Sequence, residues 1–296
     1  MGAGPGLPAL LAREQFAFLR RDRGAWADHL ARARAFLGEG LRGATGPALV
    51  LGAGSGLEVP WSLAPRGTTG WDADPTSRIR TLLRHGRWVP WVQADLTGGM
   101  ADLAAAARRS ARQPWSGRVR GTRSSARRLA GLMASLRPEA APLGAWIRAH
   151  RPAAILAANV MGQFGVMAER AVTSAFGGHL PDWGEEDDPL DPALRAWTAR
   201  AVTAFLARLA ESGAPLWLLH DRGVLFGSAR VELGPPAEPW TAQLRATEAL
   251  EADDPLCGVD VARAFPGRRV AEPVRWLWPV GPGQVHVVEA LRVDGQ

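Results

Sequence analysis

The chain has 296 residues, enough for one large domain or for a domain with an extension. Its 35 basic side chains, all arginine, outnumber 29 acids and give a net charge of +6. Without lysine there is no Walker-type phosphate loop and no lysine Schiff base. One cysteine, Cys257, excludes an internal disulfide and a cysteine-based zinc cluster. No apolar run is long enough to span a bilayer, and MGAGPGLPALLARE lacks the basic start of a secretory signal. A cytoplasmic protein with no membrane partner is the expectation.

Leu7–Leu37 reads as two amphipathic helices, the first marked by Phe16 and Leu19, the second by Trp26, Leu30, Phe36 and Leu37. Gly38, Gly40 and Gly43 are expected to end them, which makes residues 1–45 a helical cover ahead of a domain at 46–296. Ala48–Leu51 is a short apolar run, the pattern of a strand buried on both faces. Gly52, Gly54 and Gly56 follow, a turn where backbone and ligand can approach closely. Ser55 is placed to cap a short helix starting near Gly56, whose N–H groups would face the turn. Thr68–Trp71 forms a second strand, and Asp72 stands where a βαβ nucleotide fold puts an acid for ribose hydroxyls. A nicotinamide dinucleotide site wants G-x-G-x-x-G, but Leu57 occupies the sixth position here. An ordinary tight turn between strand and helix is the third reading of this unit.

Pro75–His85 reads as a helix with proline in its first turn. Trp88–Ala94 is a third strand, and Pro90, lacking a ladder donor, places it at a sheet edge. Asp95 follows at its carboxyl end, as a ligand group or a helix cap. Residues 100–150 exceed what one crossover helix needs. Leu103–Pro138 contains no acid and carries nine arginines, including Arg108, Arg109, Arg112, Arg123, Arg127, Arg128 and Arg137. Ser116, Gly117, Gly121, Ser124 and Ser125 give its middle a loop-like composition. Such a run is a clamp for an anionic substrate or simply a solvated insertion, and the second is favoured. Leu129–Leu136 and Leu143–Ile147 still have the makings of helices.

Ala153–Ala158 is a fourth buried strand, ending at Asn159, with Gln163 one turn further. Val166–Phe176 continues as a helix. His179, Asp182, Glu185, Glu186, Asp187, Asp188 and Asp191 then gather without the spacing of a metal loop, so no metal is assigned. Leu194, Trp197, Val202, Phe205, Leu206 and Leu209 stripe another helix, followed by a strand ending at His220 and Asp221. Leu244–Glu251 reads as helical. Val274–Val280 and Gln284–Val293 flank Gly281-Pro282-Gly283 as a β-hairpin.

VLGAGSGLE followed by GWDADP resembles the first two motifs of the class I S-adenosylmethionine-dependent methyltransferases. QADL is similar to the third motif, VMGQFG takes the place of the fourth, and ESGAPLWLLHD resembles the turn into the fifth strand. The resemblance implies a doubly wound, mostly parallel seven-stranded α/β sheet with a C-terminal antiparallel hairpin, a helical N-terminal cover and an arginine-rich insertion between strands 3 and 4. It implies S-adenosyl-L-methionine as cofactor, with Gly52, Ala53, Gly54 and Gly56 beneath its methionine part, Asp72 on the ribose and Asp95 on the adenine. Asn159 and Gln163 would orient the cofactor's amino-acid end or the acceptor. His220, His179 and Asn159 are the catalytic candidates, a histidine having the right range to take a proton from a nucleophile. The expected reaction is methyl transfer to an O or N atom of a small molecule. The [DN]-P-P-[FYW] motif of amino-directed nucleic-acid methyltransferases is missing, which places an RNA substrate second. A non-catalytic cofactor-binding partner subunit is the remaining alternative.

Overall fold

The strands at the centre of the sheet are apolar at every residue because both of their faces are covered. The computed structural model describes residues 23–54, 56–111, 119–178, 188–226, 251–281 and 283–296. In chain order these form α1 (Arg23–Gly43), β1 (Ala48–Leu51), a 3-10 turn (Trp61–Leu63), β2 (Thr69–Asp72), α2 (Ser77–His85) and β3 (Trp91–Gln93). Helices α3 (Met100–Ala111), α4 (Val119–Ser135) and α5 (Ala141–His150) lead to β4 (Ala154–Ala158). Then come α6 (Gln163–Ala175), α7 (Asp191–Ala210), β5 (Leu216–Phe226), β6 (Glu251–Asp253), β7 (Val274–Gly281) and β8 (Gln284–Val293).

The strand order is β3-β2-β1-β4-β5-β8-β7. The first five strands are parallel; β8 runs antiparallel to β5 on one side and to β7 on the other, so β7 points the same way as the first five. β3 lies at the edge, with Pro90 just ahead of it, as its missing donor requires. The sheet holds one strand more than expected: short β6 pairs antiparallel with the far end of β5, Val224 opposite Asp253. Glu251, expected to close a helix, opens this strand; residues 244–250 lie outside the described ones.

Period-two alternation divides the interior into two layers. Leu49, Leu51, Ile155, Ala157, Leu216 and Leu218 face the layer packed by α3 to α7, with Leu103, Leu129, Met133, Trp197 and Phe205 at its centre. Ala48, Val50, Leu156, Trp217 and Leu219 face the other way, onto α1 and the 3-10 turn, through Leu37, Leu41 and Trp61. Each such large side chain contributes roughly 1.5–3 kcal/mol by leaving water.

Three expectations change. Gly38 and Gly40 do not end the second expected cover helix, since α1 runs through both to Gly43; the first, marked by Phe16 and Leu19, lies outside the described residues. At Gly40 the helix crosses β5 so closely that a Cβ would lie 2.6 Å from the Trp217 ring, so glycine permits the contact. Gly121, Ser124 and Ser125 are helical, because Ala126, Leu129 and Met133 bury one face of α4 against the core. No α-helix follows the glycine turn, where Ser55 itself lies outside the described residues. Pro60, Pro65 and Gly67 punctuate that stretch, leaving room for one 3-10 turn. The Arg87 guanidinium donates to the carbonyls of Trp61 and Ala64 at 2.7 and 2.8 Å, holding this turn in place.

Candidate cofactor and active site

A cavity of about 560 Å³ opens at the carboxyl ends of β1, β2 and β4, within the range of small-molecule sites. This is the switch point of the sheet, since the chain proceeds from β1 outward to β3 and then returns to β4 on the other side. Its floor is Gly52, Ala53 and Gly54, its flank Asp72 to Asp74 and Asp95 to Thr97, and its far wall Ala158 to Val160 with Gln163.

Gly52 and Gly54 both have positive φ, 64° and 50°. At Gly52 a Cβ would sit 2.5 Å from that of Val160, so this turn passes against the end of β4 only as glycine. Asp72 locks the turn onto β2. Its Oδ2 accepts from Gly54 N–H at 2.8 Å, and its Oδ1 from Asp74 N–H at 2.7 Å and Ser77 Oγ at 3.2 Å. Burial pushes its carboxyl above the ordinary value, and these bonds offset only part of the shift. Asp95 also lines the cavity, and it caps α3 by accepting from the backbone N–H groups of Thr97 and Met100, both at 2.9 Å.

Asn159 adopts φ 49° at the first position after β4. Its Nδ2 donates to Asp221 Oδ2 at 3.2 Å, which leaves Oδ1 buried and without a protein partner. Asp221 is held in turn by His286, whose Nδ1 lies 3.0 Å from the same oxygen. Gln284 Nε2 donates to His286 Nε2 at 2.9 Å, so the ring's own proton sits on Nδ1, the nitrogen nearer Asp221. Burial alone would raise the Asp221 carboxyl, but His286 and Asn159 outweigh it and hold it below the usual range.

Of the proposed site residues, Gly52, Ala53, Gly54, Asp72, Asp95, Asn159 and Gln163 come together around the cavity. Gly56 does not. It faces α2 and the 3-10 turn, where a Cβ would meet Trp61 Nε1, His85 Nε2 and Thr81 Oγ1 at 3.0–3.2 Å. His220, expected beside the acceptor, is fully buried and does not line the cavity. Its direct neighbour across β5 and β8 is Glu289, with Nε2 3.3 Å from Oε1. His179 lies outside the described residues, as do most of the acids around it. The exposed Arg108, Arg109, Arg127, Arg128 and Arg137 are likewise absent from the cavity wall.

The lining residues not anticipated as a site include Trp26 on α1, Glu58 beyond the glycine turn and Trp278 on β7. Glu58 stands next to the motif in sequence. The two tryptophans gave only an amphipathic signal, and the fold alone joins them.

The strand order, with the third strand at one edge and an antiparallel C-terminal hairpin at the other, is the class I methyltransferase arrangement. A scan against protein-family models found no match, and a search of curated proteins found none either. Among solved structures, the chain is similar to magnesium protoporphyrin IX methyltransferase from Synechocystis PCC 6803, determined with SAM bound. That alignment covers 99% of this chain and 100% of the other, at 11% identity and a TM-score of 0.36. The fold assignment rests on strand order and layer packing, and not on this likeness.

Proposed function

We propose that the chain is an S-adenosylmethionine-dependent methyltransferase acting on an O or N atom of a small molecule. One observation carries the reading. Among the described residues, the charged side chains that line the cavity are Glu58, Asp72, Asp74 and Asp95, with no arginine beside them, in a chain of net charge +6. A site of that sign favours a cation, and a sulfonium nucleoside is one. A nicotinamide dinucleotide would bring a pyrophosphate to a pocket with no basic lining residue among those described. Among the described residues it would also lack the helix N-terminus that such a pyrophosphate needs after the glycine turn.

The residues present fit the cofactor. Asp72 has the place for ribose hydroxyls, its carboxylate fixed by Gly54, Asp74 and Ser77. Asn159 Oδ1 is a buried acceptor still wanting a donor, which an N–H or O–H of a ligand would supply. Leu57, Phe164 and Met167 form apolar wall that excludes water. The bound cofactor supplies a methyl group already activated by its sulfonium. The chain's part is chiefly to hold the acceptor atom in line, and the Asn159 carbonyl orients it. The arginines of α3 and α4 described above are turned outward, so a small acceptor is preferred over RNA.

Calorimetric titration with S-adenosylhomocysteine tests the reading. Wild type is expected to bind, and Asp72→Ala to bind about tenfold more weakly or worse, the scale of a lost hydrogen bond to a charged group. Equal affinities would remove Asp72 from the ribose role, and absence of binding to wild type would remove the cofactor.

A further inference from the structure

The carboxylates around the cavity are not equivalent. Both oxygens of Asp72 and of Asp95 accept from backbone N–H groups. Asp74 is engaged by Thr76 and Arg80. Glu58 is different: Oε1 accepts from His29 Nε2 at 3.0 Å, and among the described residues no donor is recorded on Oε2.

What stands behind Glu58 fixes its role. His29 is buried, and its Nδ1 accepts from the Trp276 indole N–H at 3.2 Å. An indole N–H only donates, so Nδ1 carries no proton and the ring proton sits on Nε2, aimed at Glu58. His29 therefore orients the carboxylate without neutralising it. The same imidazole stacks on Trp278, with centroids 3.8 Å apart and an angle of 7°, and Trp278 meets Trp26 edge-on at 4.7 Å. Trp26 is anchored by its own N–H to the Val280 carbonyl at 3.3 Å. Contacts thus join Trp26, Glu58 and Trp278, all three on the cavity wall, into one rigid unit built by α1 and β7.

A preset carboxylate beside two tryptophan rings is the chemistry that recognises an organic cation, through Coulomb attraction and the negative faces of the rings. We propose that Glu58, with Trp26 and Trp278, seats the ammonium group of a ligand. The proposal deepens the methyl-transfer reading and rests on it. Two ligands there carry such a group: the amino-acid end of the cofactor, and an acceptor that is itself an amine.

Calorimetry on the full chain separates them. S-adenosylhomocysteine carries the ammonium; 5′-methylthioadenosine shares its nucleoside and lacks the amino-acid end. Benzylamine and benzyl alcohol, titrated into protein saturated with S-adenosylhomocysteine, differ in charge alone at similar shape. If the cofactor's ammonium is seated, Glu58→Gln weakens S-adenosylhomocysteine about tenfold or more and leaves methylthioadenosine unchanged. If an amine acceptor is seated, both nucleosides keep their affinity, while wild type prefers benzylamine to benzyl alcohol and Glu58→Gln loses that preference. In either case Glu58→Asp, which keeps the charge one methylene further back, recovers part of the loss, a graded response that mere structural support would not give. An equal loss for both nucleosides, or no loss for any probe, overturns the proposal alone. Failure of wild type to bind either nucleoside overturns the methyl-transfer reading, and this proposal with it.

Discussion

Asn159, the first residue beyond β4, is tied to Asp221 of β5 by a 3.2 Å hydrogen bond from Nδ2 to Oδ2. The bond does two things at once. It holds a non-glycine residue in left-handed backbone geometry at φ 49°, and it dictates which end of the amide is left to a ligand. His286 Nδ1 lies 3.0 Å from the same oxygen, so the arrangement passes from β4 through β5 to β8.

Asp221→Ala should therefore loosen the site and the fold together. It leaves the Asn159 amide N–H buried without an acceptor, at a cost of roughly 1–3 kcal/mol, and takes away the carboxylate 3.0 Å from His286 Nδ1. Urea unfolding should show that loss. S-adenosylhomocysteine titration should show weaker binding, although Asp221 itself does not line the cavity. A variant as stable as wild type and binding as tightly would mean that Asn159 holds its orientation unaided.

Two glycines predict opposite outcomes for the same substitution. Gly52→Ala puts a Cβ 2.5 Å from that of Val160 and imposes φ 64° on an L side chain. Left-handed backbone alone costs roughly 1–2 kcal/mol, and the clash adds to it. Gly131 lies on the exposed side of α4 with nothing within 4 Å of the added carbon. There alanine improves helix propensity, and Gly131→Ala should stabilise by about 0.5–1 kcal/mol. Thermal and urea unfolding of both variants check the pair; destabilisation by Gly131→Ala would contradict the open surface around it.

Local signals carried the sheet and the glycine-turn side of the cavity. Asp72 was legible because strand, glycine turn and acid are consecutive in sequence and their spacing is set by one crossover. The wall formed by the two tryptophans was not, because Trp26 and Trp278 come from opposite ends of the chain and meet only when α1 lies across β7. The expected helix after Gly56 failed for a local reason that was visible, the prolines at 60 and 65. His220 misled in another way. It stands on β5 as expected, but alternation turns it to the side of Leu216 and Leu218, and β8 places Glu289 directly opposite. Nothing local in ESGAPLWLLHD announces that partner. The arginine run misled through composition at Gly121, Ser124 and Ser125, which read as loop, while buried alanine and leucine at helical spacing decided the structure there; Ser116 and Gly117 lie outside the described residues.

Glu289 gives the pH prediction. Burial would raise its carboxyl, but His220 on one oxygen and Arg275, 2.6 Å from the other, hold it down to about 2 from an ordinary value of 4.5. A folded value below the unfolded one means that the unfolded chain binds the proton more readily. The stabilisation is thus complete above 4.5 and is lost as pH falls from there toward 2. The full shift would correspond to about 3 kcal/mol, and screening at a partly solvated row of charges reduces this to roughly 1–2 kcal/mol. Glu289→Gln should lower stability by that amount at pH 7 and by much less at pH 3, so the two unfolding curves converge on acidification. Neither Glu289 nor His220 lines the cavity, so Glu289→Gln and His220→Gln should both keep S-adenosylhomocysteine affinity within about twofold, the scale of remote substitutions. Stability curves that stay parallel between pH 7 and pH 3 would show that the ion pairs do not hold the carboxyl down, and a large loss of ligand affinity in His220→Gln would return that histidine to the site.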